Sequence, residues 1–224
     1  MKKIVLALVV LSFIKVSAQE ETQPKDTVCS SKVVVNMRLG FSVLANNSFN
    51  LNQKLKSQNL TELNETLPAF MLGFEFFGEK MSGDLEFGFI YANPDKNSVE
   101  VLQRGFDTRA RVHYNVVNQE KFAFTTGLSL AFTGNDIDIY SKSNTIDLNN
   151  LNPETNSGHI SIRNQMFYAG PSVSVYLFRK SFPIRLNAGY EFALTRGRYK
   201  SDFGSVINNI NENGNNRLVF GLVF

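Results

Sequence analysis

The sequence predicts an all-β fold, an eight-stranded antiparallel transmembrane up-and-down β-barrel. Three observations lead to this prediction. Eight segments alternate apolar residues with small or polar ones at period two, which is the pattern of β-strands. Each segment carries a glycine on the face opposite its large apolar side chains. The count of eight is even, as a closed antiparallel barrel with both termini on one side requires.

The eight segments fill most of the chain after residue 32, and polar breaks separate them. In the first segment Met37, Leu39 and Phe41 share one face, whereas Arg38 and Gly40 occupy the other. The segments are Val33–Val43, Phe70–Phe76, Asp84–Tyr91, Gly105–Tyr114, Phe122–Phe132, Phe167–Leu177, Ile184–Leu194 and Arg217–Phe224. The predicted organisation is therefore a cleaved signal peptide at 1–18, a periplasmic N-terminal tail at 19–32 and a barrel at 33–224.

Side-chain volume decides which face of the barrel points inward. The interior of an eight-stranded barrel is just wide enough for its own side chains, so small residues belong inside. The glycines opposite the large apolar residues are Gly40, Gly73, Gly88, Gly105, Gly127, Gly170, Gly189 and Gly221. We therefore expect Phe and Leu to face hydrocarbon, and glycine, serine and charged residues to face the lumen. A soluble barrel or sandwich with the apolar face inside is the alternative.

The breaks between segments alternate short and long, as in outer-membrane barrels. Short breaks, expected on the periplasmic side, are 78–83, 115–120 and 179–182. Long breaks, expected to face outward, are 46–67, 133–160 and 196–216, with a briefer turn at 93–98. Four leucines predict a short helical turn in the first long break: Leu51, Leu55, Leu60 and Leu63.

The N-terminus has the pattern of a secretory signal peptide. Lys2 and Lys3 precede an apolar stretch, and Val16-Ser17-Ala18 ends in the pattern of a cleavage site, so we expect cleavage after Ala18. Cleavage removes three of the 23 basic residues, which leaves 20 against 20 acidic ones. A neutral mature chain gives no reason to expect a nucleic-acid partner. The single Cys29 excludes an internal disulfide and a multi-cysteine metal site, and no metal or cofactor is expected.

Charged residues of both signs fall on the predicted inward face. Isolated charges are costly in a narrow lumen, so these residues should pair. The expected contacts join Glu86 to Arg109 or Arg111, and join Glu75 and Glu86 to one shared arginine. The full polar set is Arg38, Glu75, Asp84, Glu86, Asp107, Arg109, Arg111, His113, Arg185, Glu191 and Arg217. Three roles stay open for it: a plug that fixes strand register, a gated path for ions or small solutes, and an acid–base catalytic pair.

His159 and Ser161 form the one constellation that suggests nucleophilic catalysis. Both are expected on the lipid-facing side at the outer end of the sixth segment, where a hydroxyl and its base would reach acyl chains. Their spacing is similar to the His-x-Ser of outer-membrane lipid A deacylases, but Ile162 stands where that family has Asn. The alternative is a plain junction between a loop and a strand.

Three cations stand at the start of the last long break: Arg196, Arg198 and Lys200. At that depth they could contact the phosphates of lipopolysaccharide. A solvated loop base is the alternative.

The segments and the C-terminal sequence together resemble the small OmpA/OmpX-type outer-membrane barrels of Gram-negative bacteria. The resemblance covers Val33–Phe224 and implies a location in the bacterial outer membrane, among its lipid and lipopolysaccharide. Arg217–Phe224 is similar to the terminal strand that the barrel assembly machinery reads, which implies an assembly signal at Phe220 and Phe224. The family's Trp girdle is absent, so Phe and Tyr would serve at the interfaces, at Tyr91, Tyr114, Phe122 and Tyr190.

The function predicted from the sequence is a non-enzymatic surface or envelope role. The stiff barrel would hold its outer loops for an extracellular or envelope partner that the sequence does not identify. A narrow gated pore is the first alternative, and a lipid A-modifying hydrolase that uses His159 and Ser161 is the second.

Overall fold

The period-two alternation produces eight β-strands in the computed structural model, which describes residues 34–93, 99–141, 159–179 and 183–224. The strands are β1 Val34–Asn46, β2 Thr66–Phe77, β3 Met81–Ala92, β4 Val99–Asn118, β5 Phe122–Ser141, β6 His159–Leu177, β7 Ile184–Ala193 and β8 Arg217–Val223. The predicted signal peptide and N-terminal tail lie outside the described residues.

Each strand pairs antiparallel with the next, and β1 pairs with β8, so the sheet closes into a barrel. The closing seam runs from Gly40 opposite Val223 to Asn46 opposite Arg217. Leu39 and Phe224 extend it by two backbone hydrogen bonds, at 3.1 and 2.9 Å. Closure leaves no open sheet edge, which is the condition for a sheet to exist in hydrocarbon. The predicted eight-stranded antiparallel up-and-down topology is confirmed.

The distribution of side chains is the inverse of that in a soluble protein. Phe89 and Leu128 on the outer surface are each 67% exposed, whereas Asp107, Arg109 and Glu191 are buried inside. Outward positions carry no charge over 106–116, 122–132, 167–177 and 184–194. Each of these runs covers about 34 Å of strand, or about 25 Å of height at a tilt of about 45°. That height matches a hydrocarbon core, and we call this surface the apolar band.

The two ends of the barrel differ in the length of their connections. Both chain termini of the barrel lie at the end with the short turns, here the short-turn end, and the opposite end is the long-loop end. Of the four aromatic residues predicted for the interfaces, Phe122 stands at the start of β5, at the short-turn end. Tyr91 is exposed at the long-loop end and Tyr114 at the short-turn end, whereas Tyr190 lies within the apolar band beside Phe192.

The predicted loop at 133–160 is wrong in its bounds. β5 continues to Ser141 and β6 begins at His159. Alternation persists there with the opposite polarity: Ile137 and Ile139 point inward and are buried, whereas Asp136 points outward. A strand that has left the bilayer has polar outward residues, and this polarity resembles that of a loop. Two of the short breaks are shorter than predicted, because β3 starts at Met81 and β4 runs to Asn118, whereas the third is longer, since β6 ends at Leu177 and β7 begins at Ile184.

One helix, α1 (Asn50–Ser57), lies in the connection between β1 and β2. Leu51 and Leu55 are in it, as predicted, but the helix ends before Leu60 and Leu63. Both of these leucines pack in the same apolar cluster as the helix. Within the described ranges, no helix is long and apolar enough to span a membrane.

Candidate functional site

Every polar residue predicted for the lumen points into the barrel. The strands that carry these residues place them in two ion-pair groups, with His113 between hydroxyl partners. The inner charge cluster, nearer the short-turn end, contains Arg38, Glu75, Asp84, Glu86, Arg111 and Arg185. The outer charge cluster contains Asp107, Arg109, Glu191 and Arg217.

Arg185 on β7 is the centre of the inner charge cluster. Its Nη1 lies 3.1 Å from Glu75 Oε2 and 3.0 Å from Asp84 Oδ2, and its Nη2 contacts Glu86. Arg111 Nη1 lies 2.8 Å from Asp84 and 3.0 Å from Glu86. Arg185 is therefore the arginine that Glu75 and Glu86 share. With Arg38, which lies 3.4 Å from Glu75, the cluster balances three carboxylates with three guanidinium groups.

Arg217 and Arg109 bridge the two carboxylates of the outer charge cluster. Arg217 Nε lies 2.7 Å from Glu191 and its Nη2 lies 2.8 Å from Asp107. Arg109 contacts the same two acids, at 2.8 and 2.9 Å, so it does not pair with Glu86. Thr133 donates to Asp107 at 2.6 Å and accepts from Arg217 Nη1 at 2.9 Å. The cluster is neutral, and its members are buried.

His113 occupies a polar niche between β5 and β6. Its Nδ1 lies 2.8 Å from Thr125 Oγ1, and its Nε2 lies 2.7 Å from Ser172 Oγ. Both ring nitrogens therefore have a hydroxyl partner. No carboxylate is bonded to the ring among these contacts, so His113 has the environment of a structural histidine.

An apolar cap closes the long-loop end of the lumen. It combines inward-facing strand residues with side chains from the loops above them. Its members are Leu44, Leu67, Ala69, Met71, Ile90, Ala92, Val101, Ile137, Ile139 and Val219 from strands, and Phe49, Leu51, Leu55, Leu63 and Tyr199 from connections. The lumen is therefore apolar near this end, whereas the sequence predicted a polar interior throughout.

Glu212, in the connection between β7 and β8, holds the apolar cap in place by hydrogen bonds. Its carboxylate accepts the backbone N–H groups of Asn50 at 2.7 Å and Leu51 at 3.1 Å, at the start of α1. The preceding residue, Phe49, has no side chain that could cap the helix. Tyr199 Oη donates to the same carboxylate at 2.7 Å. Burial, together with the negative charge of Glu212, raises the pKa of the Tyr199 phenol well above its usual value.

At the short-turn end the lumen opens into a cavity of about 380 Å³. Arg38, Glu75, Tyr176 and Arg179 are among its lining residues. The inner charge cluster forms the floor of this cavity, because Glu75 is bound by Arg185. Solutes that enter from this end therefore meet a fully paired ion cluster.

The structure places His159 and Ser161 on a shared partner rather than on each other. Both bond to Asp138 on the neighbouring strand: His159 Nε2 lies 3.2 Å from its Oδ1, and Ser161 hydrogen-bonds the same carboxylate. Burial favours protonation of Asp138, but hydrogen bonds from Ser161, Arg104 and His159 outweigh it and lower the pKa. Ser161 also stands six residues beyond Phe167, about 20 Å along the strand from the apolar band. Both residues occupy outward positions, as predicted, but β6 extends past the apolar band, so they lie above the acyl chains that they were expected to reach.

The two residues of the predicted assembly signal face outward on the terminal strand. Phe220 and Phe224 are both exposed on the barrel surface, and the ring of Phe224 lies 6.3 Å from that of Phe41 on β1. The arrangement leaves the aromatic side chains accessible while the backbone of β8 closes the seam.

Several residues that shape the site could not be identified from the sequence pattern. Glu212 and Tyr199 are isolated in a loop rich in Asn, and nothing in the loop indicates that they reach α1. Arg163 did carry a signal, because a cation at an outward position of β6 marks a strand that has left the bilayer. Among the described residues, no group of three or more His, Cys, Asp or Glu side chains is arranged to hold a metal ion.

Comparison with known proteins gives matches at the level of structure only. No family model and no curated protein sequence matches the chain. The chain is similar to the crystal structure of Ail, the attachment invasion locus protein of Yersinia pestis, with 10% identity, a TM-score of 0.43, and coverage of 85% of this chain and 97% of that one. It is also similar to Neisserial surface protein A (NspA), with 12% identity, a TM-score of 0.42 and the same coverage.

The described structure itself establishes the class of protein. A closed sheet of eight antiparallel strands carries an apolar band outside and paired charges inside. Only the hydrocarbon of a lipid bilayer can solvate such an apolar outer surface. Even-stranded barrels of this kind belong to the bacterial outer membrane. The chain is an integral outer-membrane β-barrel.

Proposed function

We propose that the protein is a non-enzymatic surface protein, in which a closed barrel holds the connections of the long-loop end outside the cell. The observation that carries this proposal is the filling of the lumen. Two neutral ion clusters and an apolar cap occupy it in succession, from the short-turn end to the long-loop end. A barrel filled in this way is suited to presentation and anchoring rather than to transport.

The connection between β7 and β8 supplies a surface for an extracellular or envelope partner. Phe203 is 83% exposed and Ile207 is 80% exposed, although both are large apolar residues outside the apolar band. Exposed apolar side chains on a loop favour contact with another macromolecule. Glu212 fixes the base of this connection against α1, which limits the entropy lost when a partner binds.

The two alternatives meet specific obstacles. A pore requires the ion pairs of both clusters to exchange partners and the apolar cap to move. A lipid A hydrolase requires Ser161 and His159 to bond to each other at the depth of the acyl chains, and both instead bond to Asp138 above that depth.

The test is single-channel recording of the refolded mature chain in planar bilayers, after heat-dependent gel mobility has shown that the barrel is folded. We expect no conductance steps from the wild-type protein. Reproducible steps that change in size with Arg109→Ala would overturn the proposal in favour of a pore. Loss of acyl mass from lipid A that disappears with Ser161→Ala would overturn it in favour of an enzyme.

The surface role is tested on intact cells. Cells that display the wild-type chain should adhere to one another or to protein-coated plates more than cells with the double variant Phe203→Ser, Ile207→Ser. Asn213→Ser, an exposed polar residue of the same connection, is the matched control and should adhere like the wild type. Equal adhesion of all three would contradict a role for this connection.

A further inference from the structure

A basic cavity of about 420 Å³ lies on the outer surface of the barrel at the long-loop end. Its walls are the outer part of β6 and the chain segment 196–200. Four cations line it, Arg163, Arg196, Arg198 and Lys200, together with Asn164 and Gln165. We call this cavity the basic cleft. The cations point away from the lumen, since all four are exposed and occupy outward positions.

The backbone holds the basic cleft open. Arg163 and Lys200 exchange two backbone hydrogen bonds, at 2.8 and 2.9 Å, and Leu194 donates to Phe167 at 2.8 Å. Between these two points the five residues 195–199 lie opposite the three residues 164–166. The longer segment therefore bulges away from β6. The bulge needs glycine at position 197, where φ is +52° and a Cβ would lie 2.1 Å from the Met166 sulfur.

Positive charge in the basic cleft is only partly compensated. Arg163 pairs with Asp202 at 2.6 Å, and Asp136 stands opposite Arg163 on β5. In the ranges that the structure describes, Arg196, Arg198 and Lys200 have no ion-pair partner. Asn164, between Arg163 and Gln165 on β6, faces the lumen, where its side-chain oxygen accepts a hydrogen bond from Asn135 at 3.2 Å. The basic cleft therefore presents three cations that have no ion-pair partner among the described residues.

The position of the basic cleft relative to the bilayer indicates which anion it would meet. Arg196 follows Leu194, the outward residue of the apolar band just after β7, by two positions, and Arg163 is four positions beyond Phe167 on β6. These separations place the cations about 5–10 Å above the hydrocarbon core, which is the headgroup layer of a bilayer. Arginine and lysine bind phosphate oxygens in preference to other common anions.

We propose that the basic cleft binds the phosphate groups of a lipid headgroup in the surrounding outer leaflet. The cations contact the phosphate oxygens, and the acyl chains lie along the apolar band below, against Phe167 and Leu194. The inference rests on the outer-membrane location of the barrel and is independent of what the loops bind.

The test measures lipid binding to the refolded barrel in detergent by native mass spectrometry. The probes are lipid A with two phosphates, the same lipid A after enzymatic dephosphorylation, and inorganic phosphate. The variant Arg196→Gln, Arg198→Gln, Lys200→Gln removes the three unpaired cations. The matched control, Lys54→Gln, Lys56→Gln, Lys121→Gln, removes three exposed cations elsewhere.

We expect wild type and control to bind phosphorylated lipid A equally. The cleft variant should bind it about a hundredfold more weakly, since each cation near an anionic lipid contributes about fivefold. Equal losses in the cleft and control variants, or equal binding of dephosphorylated lipid A, would overturn the proposal. Inorganic phosphate that saturates the cleft as tightly as lipid A would show that the ligand is a free anion and would overturn the lipid assignment.

The three substituted side chains are exposed, so the cleft variant should fold. If it does not refold, the single variants Arg196→Gln and Lys200→Gln give the same comparison, with about fivefold weaker binding expected of each. Lipid binding and channel recording are separate measurements, so failure here is distinguishable from failure of the closed-barrel proposal.

Discussion

At the scale of single residues, the lumen depends on a few arginines that each serve several acceptors. Arg217 contacts Asp107, Glu191 and Thr133, and its guanidinium also stacks on the Tyr168 ring at 3.9 Å. The attraction between Arg217 and its acceptors contributes less to stability than the cost of leaving those acceptors buried without a partner. Two buried carboxylates would then share Arg109 alone.

Arg217→Met is therefore expected to lower the free energy of unfolding by about 3–5 kcal/mol, the usual cost of breaking a buried ion pair. Methionine keeps most of the side-chain volume, so the loss reports charge rather than packing. Denaturant titration of the refolded protein, followed by gel mobility, measures it. Lys121→Met, at an exposed turn position, is the control and should stay within about 0.5 kcal/mol of wild type. Equal midpoints for both variants would contradict the assigned role of Arg217.

Tyr199 gives a pH dependence, because its pKa is raised in the folded protein by burial and by Glu212. Above pH about 10 the unfolded chain loses the phenol proton and the folded chain keeps it, so unfolding becomes easier. Stability should fall by about 1.4 kcal/mol per pH unit from this residue alone. Tyr199→Phe should remove that part of the loss between pH 10 and pH 11 in denaturant titrations. A slope unchanged by Tyr199→Phe would show that the phenol ionises freely.

At the scale of elements, α1 depends on a distant residue for its N-terminus. Glu212 accepts the N–H groups of Asn50 and Leu51, which no local side chain satisfies. Loss of a helix cap costs about 1 kcal/mol, which corresponds to about fivefold more frequent opening of the helix. Glu212→Ala should therefore make trypsin cleave after Lys54 and Lys56 about fivefold faster.

Cleavage after Lys121, at the opposite end of the barrel, is the internal standard for that experiment. Glu212→Gln keeps an oxygen that can accept one of the two N–H groups, so its cleavage rate should lie between those of wild type and Glu212→Ala. An unchanged ratio of cleavage at Lys54 to cleavage at Lys121 would show that α1 is held by its leucines alone.

The elements also show where sequence reasoning succeeds and where it stops. Period-two alternation identified every strand, because outward Phe and inward Gly differ strongly in volume within the apolar band. Above the band the rule changes: Ile137 points inward and Asp136 outward, so β5 was predicted to end too early. The ion pairs of Arg185 with Glu75 and Glu86 can be predicted, because all three residues face the lumen. Contacts of Glu212 depend on how two loops fold over the barrel, which alternation does not determine.

At the scale of the whole molecule, filling and closure support each other. The seam between β1 and β8 fixes the circumference of the barrel. Inside that circumference, glycines on the inner face leave the space that the arginine side chains occupy. Gly170 illustrates the fit, because a Cβ there would lie 1.8 Å from the Tyr190 carbonyl oxygen. Paired charges and small residues are therefore two parts of one solution to a narrow interior.

At the C-terminus, different parts of Phe224 serve barrel closure and the proposed recognition by the assembly machinery. The backbone of Phe224 bonds to Leu39 in both directions, whereas its ring faces outward, 6.3 Å from the ring of Phe41. Phe224→Ala keeps the backbone bonds, so refolding in detergent should proceed to near-wild-type yield. In cells, however, the amount in the outer membrane should fall several-fold if the assembly machinery reads this aromatic ring. Leu222→Ala, an outward residue of the same strand, is the control and should reach wild-type levels. A Phe224→Ala protein that fails equally in detergent and in cells would assign the residue to barrel closure rather than to recognition.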